Sequence, residues 1–79
     1  MPKLPNNLSG EKIVKLLKKL EYELDHQTGS HMILRKNKKP FRRLTVPKHK
    51  NLSKGTLRAI IRQVGLTRNE FFELLKWVH

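Results

Sequence analysis

The spacing of apolar residues changes along the chain, and each change predicts a different element. The first apolar cluster has the spacing of one helical face and comprises Ile13, Leu16, Leu17 and Leu20. Ser9 lies just before this cluster and can serve as an N-cap, so we predict a helix over about residues 10–21. Residues 1–8 contain two prolines and two asparagines. They predict an extended lead-in that leaves Leu4 and Leu8 free to dock.

The next segment has the shorter period that is typical of β-strands. Tyr22 and Leu24 alternate with acidic residues, and residues 31–36 are rich in Ile and Leu after a Thr-Gly-Ser turn. A second turn, ending at Pro40, leads to a third strand over residues 41–46. We therefore predict a three-stranded antiparallel meander. Both faces of its middle strand carry apolar side chains, so the pattern leaves open which face is buried.

Two helices are predicted in the last third of the chain. Ser53 is a candidate N-cap for the first of them, and Gly65 is expected to end it as a C′ residue. Thr67 and Glu70 have the spacing of a capping box that opens the second. The apolar stripes of the two helices are Leu57, Ile60, Ile61 and Val64, followed by Phe71, Leu74, Leu75 and Val78. The order α-β-β-β-α-α predicts one α+β domain over residues 1–79, with helices on one sheet face and the other face free.

Composition narrows the class of partner. The 79 residues include 18 Lys and Arg against 6 Asp and Glu, which gives a formal charge of +12 and favours a polyanionic partner. The absence of cysteine excludes disulfides and thiolate metal sites. No apolar run is long enough for a membrane span, and the N-terminal sequence lacks the apolar segment of an export signal. We therefore expect a cytoplasmic protein with no membrane contact.

The positive charge is concentrated in two segments. The first contains eight basic residues and no acidic one: Arg35, Lys36, Lys38, Lys39, Arg42, Arg43, Lys48 and Lys50. The second is a helical row in which Lys54, Arg58 and Arg62 follow one another at four-residue spacing. Both segments predict contacts with a phosphodiester backbone. The alternative is a generally basic surface with no target.

A smaller candidate phosphate site lies at the start of the second predicted helix. Ser53-Lys54-Gly55-Thr56 combines free helix amides, a lysine and a glycine, so Lys54 and Thr56 are candidate phosphate contacts. The segment lacks the paired glycines of a P-loop, which argues against nucleotide hydrolysis. A simple helix cap is the competing interpretation.

The four histidines do not have the spacing of a metal site, so we expect neither a metal nor another cofactor. His31 is distinguished by its position after Gly29 and Ser30, at the start of a strand and beside the basic segment. A neutral imidazole there could remove a proton from a ribose 2′-hydroxyl and so cleave RNA without a metal. His26 and His49 are possible helpers. The competing interpretation of His31 is an ordinary exposed strand residue.

Five short motifs, taken together, resemble those of one known family. They are Leu8-Ser9-Gly10, Gly29-Ser30-His31, Leu44-Thr45-Val46-Pro47, Lys54-Gly55-Thr56-Leu57-Arg58 and Gly65-Leu66-Thr67. Their order over nearly the whole chain is similar to that of the HicA toxins, also called YcfA-like proteins. One departure is Glu21, which stands where relatives commonly have glycine.

The resemblance implies a fold like that of the double-stranded-RNA-binding domain and a bacterial or archaeal toxin that cleaves messenger RNA and inhibits growth. It also implies that His31 is the catalytic residue and that a HicB-type antitoxin is the partner. Ser30, Thr56 and the basic residues named above other than Lys50 are then candidate RNA contacts. A non-catalytic RNA-binding module of the same fold is the main alternative, and a DNA-compacting protein is a third.

Overall fold

The computed structural model describes residues 7–39 and 41–76 of the chain. Its elements are α1 (Gly10–Lys18), β1 (Tyr22–Thr28), β2 (His31–Lys36), β3 (Arg43–Pro47), α2 (Lys54–Val64) and α3 (Arg68–Leu75). The strands form one antiparallel sheet in the order β1-β2-β3. The predicted α+β class and the α-β-β-β-α-α order are therefore confirmed.

One face of the sheet is covered and the other is open. Residues directly opposite each other on antiparallel strands lie on the same face. On the covered face Met32 and Leu34 of β2 lie opposite Val46 and Leu44 of β3, and all four are buried. The structure thus decides between the two faces of the middle strand, because the covered face includes Met32 and Leu34 and leaves His31, Ile33 and Arg35 on the open face.

The helices supply the second layer of the core. Their buried residues are Ile13, Val14, Leu16 and Leu17 of α1, Leu57, Ile60 and Ile61 of α2, and Phe71 of α3. The Ser9, Ser53 and Thr67 side chains each accept a hydrogen bond from a first-turn backbone amide, and Thr67 with Glu70 forms the predicted capping box. Gly65 ends α2 in the left-handed conformation, with φ 76°. Leu8 is buried, whereas Leu4, Pro40 and Val78 lie outside the described residues.

Helix α1 is shorter than predicted. Residues 19–21 tighten into a turn in which each backbone amide donates to the carbonyl three residues earlier. Glu21 completes the turn with φ 68°, in the left-handed region that glycine adopts most easily. Glu21, which departs from the glycine common in the family, therefore occupies a backbone conformation that glycine adopts more easily.

Gly10 places the start of α1 against the end of β3. A Cβ atom at Gly10 would overlap the carbonyl oxygen of Pro47. The Gly10 amide also donates to the carbonyl of His49 over 2.9 Å. Only glycine permits this approach, which fixes the segment after β3 against the start of α1. The same segment also contacts the β1–β2 turn. There the Lys48 amide donates to the carbonyl of Ser30 over 2.6 Å.

Candidate functional site

The open face of the sheet consists of three rows of side chains. In the first row His31 of β2 lies between Thr28 of β1 and Pro47 of β3. The second row places Ile33 between His26 and Thr45, and the third places Arg35 between Glu23 and Arg43. Most of these side chains are exposed, in contrast to the buried residues of the covered face.

His31 is exposed at the beginning of β2. Gly29, with φ 57°, forms the tight turn before it, and Ser30 is exposed in the same turn. The hydrogen bond between the Lys48 amide and the Ser30 carbonyl attaches the turn to the segment after β3. The imidazole is therefore carried on a braced strand end and is accessible to a large substrate.

A bulge in β1 brings a second histidine to the open face. The register between β1 and β2 shifts between Leu24 and His26, so Asp25 has no partner on β2 and His26 lies opposite Ile33. The Asp25 Oδ2 and His26 Nδ1 atoms are 2.8 Å apart. The hydrogen bond with His26 lowers the pKa of the Asp25 carboxyl, and the nearby guanidinium groups of Arg35 and Arg43 lower it further.

Two of the candidate RNA contacts, Arg35 and Arg43, lie on the open face with His31. They are directly opposite each other on β2 and β3. Like charges in this arrangement repel and destabilise a sheet. They are two rows from His31, and Glu23 and Asp25 share their neighbourhood. Of the basic side chains that the sequence grouped with His31, this pair shares the open face with the imidazole, and it does not lie directly beside the ring.

Four other candidate RNA contacts point towards the helix layer or pair with an acidic side chain of the same chain. Lys36 Nζ lies 5.8 Å from the centre of the Tyr22 ring, and Arg42 donates to the carbonyl of Gln63 near the end of α2 over 2.9 Å. Lys38 pairs with Glu21 over 2.8 Å, and this hydrogen bond raises the pKa of Lys38. Lys48 Nζ lies 3.9 Å from a carboxylate oxygen of Glu11. These four side chains therefore do not converge on His31.

The remaining candidates lie on loops and on α2. Lys39 is exposed in the β2–β3 loop, and Lys54, Arg58 and Arg62 are exposed along α2. Thr56 is half-buried, and its amide and hydroxyl both bond to the Ser53 hydroxyl, as in a simple cap. The α2 cations thus form a surface separate from the open sheet face.

Phe41 is a functional candidate that the sequence reasoning missed. Its side chain is 66% exposed. It lines an open cavity of about 460 Å³ at the end of the sheet, together with five other residues. These five are Arg35, Lys36, Asn37, Arg42 and Arg43. An exposed aromatic ring among cations is an arrangement that stacks on unpaired bases. The signal available in the sequence was a single aromatic residue within a run of basic residues.

Asp25 was also missed as a site residue, since a strand pattern assigns it to ordinary alternation. The bulge that brings Asp25 and His26 together could not be predicted from the residues around it. Among residues 7–39 and 41–76, no three His, Asp or Glu side chains group closely enough to hold a metal ion.

The fold and the site define a small, strongly basic α+β domain with one open, polar sheet face. A family model described as "HicA toxin of bacterial toxin-antitoxin" matches residues 10–66 of the 79-residue chain. The chain therefore belongs to the HicA toxin family, and an antitoxin partner is implied.

Searches of curated proteins and of solved structures found no match to this chain. The likeness to the double-stranded-RNA-binding domain accordingly stays a prediction. None of the helices in the described ranges has the length and apolar character needed to cross a bilayer.

Proposed function

We propose that this HicA-family protein is an endoribonuclease that cleaves messenger RNA without a metal ion and thereby stops translation and growth. The observation that carries the proposal is the exposed His31 at the start of β2, on the open face of a chain that belongs to a toxin family. A cytoplasmic location and control by a HicB-type antitoxin are part of the same proposal.

In the proposed reaction the His31 imidazole acts as general base. It removes the proton of a ribose 2′-hydroxyl, and the resulting oxygen attacks the adjacent phosphorus. The bond between phosphorus and the 5′-oxygen breaks, which leaves a 2′,3′-cyclic phosphate and a 5′-hydroxyl. DNA lacks the attacking hydroxyl and is not a substrate.

The open face offers a binding surface that suits single-stranded RNA. Arg35 and Arg43 can contact phosphates two rows from His31, and Phe41 can stack on a base beyond them. Unpaired RNA is favoured because its bases can be splayed onto a protein surface, whereas the bases of an A-form duplex are inaccessible in the deep groove. The α2 cations Lys54, Arg58 and Arg62 extend the positive surface along a second element.

The test is cleavage of a defined transcript by purified wild type and by His31→Ala, with product ends mapped at nucleotide resolution. We expect the variant to keep its circular-dichroism spectrum and its RNA affinity and to lose about a hundredfold to ten-thousandfold in rate. Addition of EDTA should leave wild-type cleavage unchanged, and expression of the variant should not inhibit growth.

Three results would contradict the proposal. Undiminished cleavage by His31→Ala would remove His31 from the reaction. Wild type that binds RNA but does not cut it would instead be a non-catalytic RNA-binding module, and equal affinity for duplex DNA without RNA products would favour a DNA-compacting protein.

A further inference from the structure

The proposed cleavage needs a second group that the proposal leaves unassigned. Attack by the 2′-oxygen and departure of the 5′-oxygen take place on opposite sides of the phosphorus. The departing oxygen needs a proton, because an alkoxide is a poor leaving group. The required donor must therefore be a protonated side chain on the open face, one phosphodiester away from His31.

The bulge in β1 places His26 in such a position. His26 lies opposite Ile33 and His31 lies opposite Thr28, so the two histidines are diagonal neighbours on one face. Diagonal neighbours of this kind lie about 7–8 Å apart, and their β-carbons are somewhat closer. Two imidazoles that extend from such positions on one face can contact a single phosphodiester from its two sides.

Asp25 orients the His26 ring. Its Oδ2 atom is 2.8 Å from His26 Nδ1, and its carboxyl has a pKa below the usual value. The ionised carboxylate accepts a hydrogen bond from Nδ1–H, which leaves Nε2 as the nitrogen directed away from the pair. In the protonated ring, Nε2–H is then the proton available to a substrate.

We propose, as a step that rests on the proposed function, that His26 is the general acid of RNA cleavage and that Asp25 is its positioning residue. The bond from the 2′-oxygen to phosphorus forms while the bond from phosphorus to the 5′-oxygen breaks. The 2′-hydroxyl proton passes to His31, and the Nε2 proton of His26 passes to the 5′-oxygen. Exchange with water then restores both imidazoles.

His49 is the matched control. It is exposed like His26 but lies in the segment after β3, outside the three strands, with its backbone carbonyl bound to the Gly10 amide. Conversion of either side chain to glutamine removes an exposed imidazole and keeps a hydrogen-bonding side chain. An effect specific to His26 therefore cannot be attributed to loss of histidine alone.

The experiment compares two oligoribonucleotides that carry the mapped cleavage site, one with the natural 5′-oxygen and one with sulfur at the bridging 5′ position. A thiolate departs without protonation, so the sulfur substrate does not need a general acid. We expect His26→Gln to lose about a hundredfold to ten-thousandfold in kcat/KM on the oxygen substrate and less than tenfold on the sulfur substrate. His31→Gln should lose activity on both, and His49→Gln should match wild type.

The pH profile provides a second measurement. Wild type should show a bell-shaped dependence of kcat/KM on pH, and His26→Gln should lack the descending alkaline limb, because that limb reports the acid. The charged and titratable groups that face His26 are Asp25 and Glu23 on its own strand, His31 and Arg35 on β2, and Arg43 on β3. Asp25→Asn should lower the rate less than His26→Gln does, and Asp25→Glu should restore part of it.

Failure of this inference is distinguishable from failure of the proposed function. Wild type that cleaves while His26→Gln cleaves the oxygen substrate equally well overturns the inference alone. So does an equal loss on both substrates, or a specific loss in His49→Gln instead. Wild type that cleaves neither substrate overturns the nuclease assignment and this inference together.

Discussion

The two faces of the sheet are made from alternate residues of the same strands, yet they differ in nearly every physical property. Leu34 on the covered face is fully buried, whereas the neighbouring Ile33 on the open face is only half-buried. The covered face is lined by apolar residues that pack against α1 and α2. The open face carries His31, the Asp25–His26 pair and two opposed arginines.

We interpret this difference as a separation, within one sheet, of the residues that stabilise the domain from those of the proposed function. Apolar burial on the covered face stabilises the domain in proportion to the area removed from water. The open face instead tolerates arginine opposite arginine and a carboxylate with no cross-strand partner. Like charges directly opposite each other cost stability. The following variants test that division.

The largest expected difference in the free energy of unfolding is between alanine variants at two adjacent residues of β2. Leu34→Ala should lower the free energy of unfolding by about 2–5 kcal/mol, because it leaves a cavity in the core. Ile33→Ala should cost about 1 kcal/mol, since water can fill the space of a half-exposed side chain. Urea denaturation followed by circular dichroism measures both. An equal cost would indicate that the open face is covered in solution.

The next comparison is between two glycines at helix starts. Gly10→Ala should cost about 1–3 kcal/mol, because its Cβ would meet the Pro47 carbonyl where α1 contacts β3. Gly55→Ala should instead raise stability by about 0.5–1 kcal/mol, since it lies within α2 and its Cβ would meet only Ser53 at 4.0 Å. Thermal and urea denaturation would show the opposite signs. A neutral Gly10→Ala would disprove the close approach.

A substitution at Phe41 tests whether the proposed RNA-binding surface continues beyond the sheet to a side chain that stacks on bases. Phe41→Ala should weaken binding of single-stranded RNA by about 1–3 kcal/mol, the usual contribution of one stacked base. Stability should change little, because the ring is already 66% exposed. Leu24→Ala is the control, as Leu24 is also an exposed apolar residue but does not line the cavity. Fluorescence anisotropy with labelled RNA measures both affinities, and equal losses would contradict a role for the ring.

The smallest expected effect concerns the opposed arginines. Arg43→Gln should stabilise the free protein by about 0.2–1 kcal/mol, because it removes a like charge directly opposite Arg35. It should also reduce the slope of log affinity against log salt by about 1, the loss of one phosphate contact. Lys15→Gln on the exposed side of α1 should leave that slope unchanged. A changed slope for Lys15 and not for Arg43 would place the RNA on the helix layer.

Much of the fold was predictable because its signals are local. The helix starts follow from Ser9, Ser53 and the Thr67–Glu70 capping box, in each of which a side chain bonds to a backbone amide three residues away. The end of α2 at Gly65 follows from the ease with which glycine adopts positive φ. The end of α1 was misjudged, because Glu21 adopts the same region without being glycine.

The candidate site was less predictable, because it depends on register. The motif around His31 identified the residue, but a strand pattern with apolar side chains at both Ile33 and Leu34 did not say which face His31 occupies. Linear sequence also grouped Lys36, Arg42 and Lys48 with Arg35, whereas alternation and loop geometry send these three towards the helix layer. The missing information was which side of the sheet the helices cover.

By itself, then, the sequence determined the class of fold, the element order, the helix caps and the family, and it made His31 the candidate catalytic residue. All of these depend on residue type and on short-range spacing. Only the tertiary structure decided that Met32 and Leu34 face the core, that one unpaired residue in β1 brings His26 to the side of His31, and that few of the cations share that side. Those outcomes depend on which strand lies opposite which, and long-range packing rather than local propensity determines strand register.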